Sequence, residues 1–169
     1  MFKRLRKTLV AGALLTAALA GPAGASLTSE AGGGTATLVL SKGYKAAFGR
    51  GAMVAYSLSS DGRCDDWKLM GRMTWATGNS RTEKVGAGTP VAVHATTEYF
   101  YPTVQAGQNS VYSKRCDGVA RFTPQAGHTY EIVHETPFDG KCRLIVTDKD
   151  TQVAPPGLTY PRDECLFRH

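Results

Sequence analysis

Thr35-Ala36-Thr37-Leu38-Val39-Leu40-Ser41 carries the decisive period. Ala36, Leu38 and Leu40 fall on one side, and Thr35, Thr37, Val39 and Ser41 on the other. A period of two with β-branched enrichment marks a half-buried strand. The same spacing recurs outward along the chain. Ala52, Val54, Tyr56 and Leu58 form one stripe. Trp67, Leu69, Met73 and Trp75 form the next, with Lys68, Arg72 and Thr74 facing away. Val91, Val93 and Ala95 follow, and then Tyr130 and Ile132.

Turn residues punctuate these stripes: Ser60-Asp61-Gly62, Gly86-Ala87-Gly88-Thr89-Pro90, Pro124-Gln125-Ala126-Gly127 and Asp139-Gly140. Asp-Gly supplies the positive φ values of a type I′ hairpin turn, so 139–140 is read as a hairpin tip. No segment beyond residue 25 has an amphipathic helical period. The expected fold is all-β: an antiparallel β-sandwich, immunoglobulin-like or a partly closed barrel, spanning 35–150 with seven to nine strands over 35–148. Residues 26–34 (Ser-Leu-Thr-Ser-Glu-Ala-Gly-Gly-Gly) read as a flexible leading segment. Residues 151–169, with Pro155, Pro156, Gly157 and Pro161, read as an irregular tail.

Residues 1–25 follow another logic. Lys3, Arg4, Arg6 and Lys7 precede the apolar run Thr8–Ala20, a helix-breaking Gly21-Pro22 and Ala23-Gly24-Ala25. Charge, apolar core and small-residue exit form the pattern of a cleaved signal peptide. Cleavage is expected after Ala25; Ala20 is the other position with small residues at the right spacing. The charge changes meaning accordingly. The 169 residues carry 20 basic and 14 acidic side chains, a formal +6. Four of the cations lie in the leader, which leaves +2, with no basic stripe to hold a phosphate backbone. Nucleic acid is therefore not an expected partner. No apolar run after the leader reaches membrane-spanning length.

Export bears on Cys64, Cys116, Cys142 and Cys165. An even count in an oxidising compartment implies two disulfides. Residues 116–122 place Cys116, Gly118, Ala120 and Phe122 on one face, and 141–148 place Cys142, Leu144 and Val146 on one face. Both cysteines point inward, which favours Cys116–Cys142 and leaves Cys64–Cys165 to pin the tail. Each bridge is worth roughly 2–4 kcal/mol. Long spacings and the absence of C-x-x-C argue against structural zinc.

Chemistry-bearing motifs are sparse. There is no G-x-S-x-G, no H-E-x-x-H and no phosphate cradle. His94, His128 and His134 are read as strand-end or edge residues. Asp61, Asp65, Asp66, Asp148 and Asp150 are read as turn residues accepting backbone hydrogen bonds rather than calcium ligands. No catalytic residue, metal or cofactor is assigned. Glu98-Tyr99-Phe100-Tyr101-Pro102 breaks the alternation, because three successive aromatics cannot face one core. Tyr99, Phe100 and Tyr101 are the candidate ligand or partner contacts, against the alternative of a buried strand-end cluster capped by Pro102.

The stretch Cys116–Asp148, with its Gly127-x-x-Tyr130 turn and Asp139-Gly140, resembles the last strands of small exported bacterial β-sandwich proteins of uncharacterised families. That resemblance implies a binding or envelope-associated module and transfers no catalytic residue. Gly127-His128-Thr129-Tyr130 is also similar to the Ser-Gly-x-x-Tyr loop of periplasmic lysozyme inhibitors. Here Ala126 stands in the place of that serine, and a slightly basic chain would not be steered toward a cationic enzyme. The function expected is an exported, non-enzymatic binding module of the bacterial envelope or extracellular space, its partner a protein or a small ligand. The alternatives are a small secreted hydrolase with a His–Asp site assembled in space, and a structural envelope component.

Overall fold

A computed structural model describes residues 33–43, 51–74, 76–105, 108–135 and 142–166. The leader, Trp75 and the 139–140 hairpin tip lie outside the described residues. The described residues form eight strands: β1 (Thr35–Gly43), β2 (Gly51–Ser59), β3 (Lys68–Thr74), β4 (Ser80–Gly86), β5 (Val91–Gln105), β6 (Gln108–Phe122), β7 (Thr129–Glu135) and β8 (Arg143–Asp148). They form two four-stranded sheets, ordered β4-β1-β7-β8 and β3-β2-β5-β6. No pairing between described residues joins the sheets, so the barrel alternative gives way to two separate sheets. One pairing departs from the antiparallel expectation: β1 runs parallel to β7, from Thr37↔Thr129 to Gly43↔Glu135.

The period-two stripes become the core. Ala36, Leu38 and Leu40 of β1 pack with Val54, Tyr56 and Leu58 of β2, with Val91, Val93 and Ala95 of β5, and with Tyr130 and Ile132 of β7. Tyr130 and Phe122 meet with ring centroids 5.0 Å apart. Residues 91–93 and 119–120 are buried on both faces. On the outer face, Ala92 and Val119 form a second cluster with Cys64 and Cys165, flanked by Trp67 and Leu166. The C-terminal segment supplies this cover. It is not wholly irregular: Thr159 bridges to Arg121 of β6, and residues Arg162–Leu166 form a short helix, α1.

Two further departures have local causes. The register of β2 against β3 shifts between Tyr56 and Ser57, so Met70 has no partner while Gly71 faces Tyr56 and Leu69 faces Ser57. Such an extra residue inverts the facing of what precedes it. Leu69 therefore turns outward, at 51% exposure, and Met70 packs on the core instead. β4 has no sequence stripe because it is an edge strand in which only Val85 is buried. Its backbone ladder with β1 holds it. No helix among the described residues is long and apolar enough to cross a membrane.

Candidate functional site

Pro102 does not end its strand. β5 and β6 run 15 residues each and pair without interruption from Val91↔Phe122 to Gln105↔Gln108. β2, the other neighbour of β5, makes its last pair at Gly51↔Phe100. Among the described residues, the hairpin continues beyond it as a two-stranded arm. Pro102 is tolerated there because no described residue pairs with β5 on that side.

The arm carries the aromatic run. Tyr99 and Tyr101 continue the core-facing parity of β5, and Tyr112 sits opposite Tyr101. Their rings form a ladder, with centroids 6.2 Å apart for Tyr99–Tyr101 and 6.4 Å for Tyr101–Tyr112. Phe100 takes the opposite face beside Gly51. Tyr99 and Tyr101 are half-buried, whereas Phe100, Val111 and Tyr112 are 36%, 70% and 59% exposed. Val111 pairs with Pro102 and so shares the face of Phe100. Val111 and Tyr112 escaped the sequence reading because Ser110 and Ser113 flank them without a stripe. Only pairing with β5 shows that they extend the same surface.

The three described histidines fall into three settings. His94, on the outer face of β5, places Nε2 3.1 Å from Asp117 Oδ1 and 3.2 Å from Thr96 Oγ1. Thr96 Oγ1 donates to the same carboxylate oxygen at 2.6 Å, and the Arg115 guanidinium donates to both oxygens. Burial works against ionising Asp117, but its hydrogen bonds from Arg115, Thr96 and His94 outweigh this and hold it below the usual carboxylate range. His94 lines a cleft of about 390 Å³ with Cys64, Asp65, Trp67, Arg115, Cys165 and Leu166. One ring nitrogen faces both the carboxylate and the hydroxyl. A triad needs the two nitrogens divided between orienting acid and nucleophile.

His128 Nδ1 lies 2.8 Å from Asp148 Oδ2. Asp148 Oδ1 accepts the Asp150 N–H, and Asp150 Oδ2 accepts the Thr129 N–H. These aspartates therefore tie a turn to a strand start, as turn aspartates do. The acidic loop after β2 is organised in the same way. The buried Ser59 hydroxyl sits 2.9 Å from Asp61 and 2.7 Å from Asp66, and accepts the Cys64 N–H.

His134 corrects the edge-residue expectation. It is fully buried, in a strand flanked by β1 and β8. Thr97 Oγ1 meets its Nδ1 at 2.8 Å, and the Tyr56 hydroxyl accepts its backbone N–H at 3.1 Å. Burial pushes the imidazole down to about 4, so it is neutral near pH 7.

All four cysteines are paired. Cys64–Cys165 spans 5.3 Å between Cα atoms and Cys116–Cys142 spans 6.1 Å. The first fastens α1 beneath Arg121, whose guanidinium lies 3.5 Å from Glu164. The second joins β6 to the residue just before β8, across the two sheets. No protein-family model matches the chain, and no curated protein is significantly similar to it.

Proposed function

We propose that this chain is an exported, non-enzymatic binding module that engages a protein partner through the β5–β6 arm. The carrying observation is the placement of Phe100 and Val111 on one face of a projecting hairpin and Tyr112 on the other. Large apolar groups clustered on both faces of one projection suit a partner that clasps it. Export is supported by the leader pattern and by two disulfides, which persist in oxidising compartments. The envelope or the extracellular space is the destination this implies. The resemblance to small exported bacterial sandwich proteins points the same way. Connections that cross between the sheets after β1, β3, β4 and β6 favour an immunoglobulin-like sandwich over an up-and-down one.

A photo-crosslinking residue at Val111, introduced in the exporting cells, tests the reading. A discrete adduct that Tyr112→Ala abolishes is expected. Equal adducts from position 69, exposed on another strand, would remove the arm as the binding surface. Adducts made only with a second copy of the chain would favour the structural-component reading.

The hydrolase reading is second, and rests on His94 and Asp117 beside the 390 Å³ cleft. It lacks a nucleophile held by the other imidazole nitrogen. Turnover of an ester or amide substrate lost in His94→Ala, with folding intact, would promote it.

A further inference from the structure

His134 Nε2 is a buried nitrogen with no hydrogen-bond partner. A fully buried polar atom left in that state costs about 1–3 kcal/mol. The rest of the residue is held firmly, through Thr97 at Nδ1 and Tyr56 at the backbone. The ring is thus oriented by two partners and presents its remaining nitrogen to something else. The Cys116–Cys142 pair lies beside this ring. A ring nitrogen of His134 and the two Sγ atoms are all within 4.8 Å of one another, and Nδ1 is the nitrogen that Thr97 already engages. Gly118 keeps the approach open: a Cβ on it would stand 3.3 Å from Nε2 and 3.1 Å from Leu144 Cβ.

We propose that Cys116, Cys142 and His134 form a redox-gated site for a soft d10 cation, Cu(I) or Zn(II). Thiolate and imidazole donors suit these cations, and two Cys with one His is a set zinc uses with a fourth position open. Thr97 has the role of an outer partner. By accepting a hydrogen bond from Nδ1–H it leaves the lone pair on Nε2, and such contacts set ligand orientation. Two strands and the residue before a third contribute the ligands, so no sequence spacing reveals the set.

As a disulfide the site offers no thiolate and is closed. A dithiol reductant opens it, supplying two electrons and two protons. The Cys116–Cys142 bond breaks into two thiols, and the reductant becomes a disulfide. The cation then displaces both thiol protons to solvent and gains two bonds to sulfur and one to Nε2. Cys142 is only half-buried and lines a cleft of about 360 Å³ with Asp117, Arg143 and Tyr160, through which a reductant can approach. The proposal is independent of the arm and its partner.

The test uses the mature chain, reduced with dithiothreitol and desalted without oxygen. Cu(I) is offered in competition with a chromogenic chelator. In a parallel arm Co(II) reports the zinc site through its thiolate charge-transfer and d–d absorption. One equivalent of either cation should bind to the reduced chain and none to the oxidised chain. Cys64→Ser/Cys165→Ser should keep that equivalent, and Cys116→Ser/Cys142→Ser should lose it. Thr97→Val should weaken binding by about tenfold to a hundredfold, as should His134→Leu if it folds. A reduced chain that takes up neither cation would overturn the proposal. So would cysteine-dependent binding of unchanged affinity in a folded His134→Leu or Thr97→Val variant.

Discussion

Tyr101 and Tyr112 face each other across the β5–β6 arm, past the point where β2 stops pairing. An aromatic cross-strand pair is worth about 0.2–1 kcal/mol to a sheet, so it braces a hairpin that, among the described residues, has no third strand beside it. Tyr112 is nonetheless more than half exposed, which leaves it available for recognition.

Val111→Ser and Tyr112→Ala should accordingly change global stability little. Surface changes of this kind stay near 0.5 kcal/mol, with up to about 1 kcal/mol more for the lost Tyr101 pair. Urea denaturation measures this. A loss above about 3 kcal/mol would show the arm to be part of the core rather than a projection.

Tyr56→Phe should cost about 1–3 kcal/mol, the penalty for leaving buried groups without partners. The Tyr56 hydroxyl donates to the Ser41 carbonyl at 2.7 Å and accepts the His134 N–H at 3.1 Å. It therefore links one sheet to the other at two points. The same urea titration checks it, and a neutral outcome would mean that water replaces both bonds.

The two disulfides should differ in worth. Cys64–Cys165 closes a separation of 101 residues, and Cys116–Cys142 one of 26. Chain entropy then assigns about 4.7 and about 3.5 kcal/mol respectively. Cys64→Ser/Cys165→Ser should lower the thermal midpoint further than Cys116→Ser/Cys142→Ser. Calorimetry on the two double variants decides it, and the reverse order would show that the tail fastening is dispensable.

Asp148 should contribute to acid unfolding. Its burial favours the neutral acid, yet hydrogen bonds from His128 and the Asp150 N–H hold the carboxyl below its ordinary range. The unfolded chain then takes up this proton at higher pH than the folded chain does. The contribution is complete above the ordinary carboxylate value near ~3.9 and disappears as pH falls through the folded value. Urea midpoints of wild type should drop across that window, and those of Asp148→Asn should drop less steeply. Parallel profiles would remove Asp148 from the acid transition.

Side-chain alternation is a local property of an extended backbone, and much of the fold is legible for that reason. The stripes from Ala36 to Leu40, Ala52 to Leu58 and Val91 to Ala95 are buried as their spacing implies. Leu69 is the instructive miss. An unpaired Met70 reverses parity, and a bulge depends on the partner strand, which the residues of β3 do not encode alone. Tyr99 to Tyr101 were visible as a break in alternation. Their partners Val111 and Tyr112 were not, because the surface exists only once β6 lies against β5.

The sequence by itself determined the all-β class, the near balance of charge after residue 25 and the inward facing of Cys116 and Cys142. Each follows from composition or from the fixed period of a strand. The tertiary structure alone decided that β1 runs parallel to β7, that the tail buries Ala92 and Val119 from outside, and that the buried His134 ring lies beside Cys116 and Cys142. Those relations depend on which strands cross between sheets and settle side by side. That choice is made by packing over long separations and leaves no mark in the local order of residues.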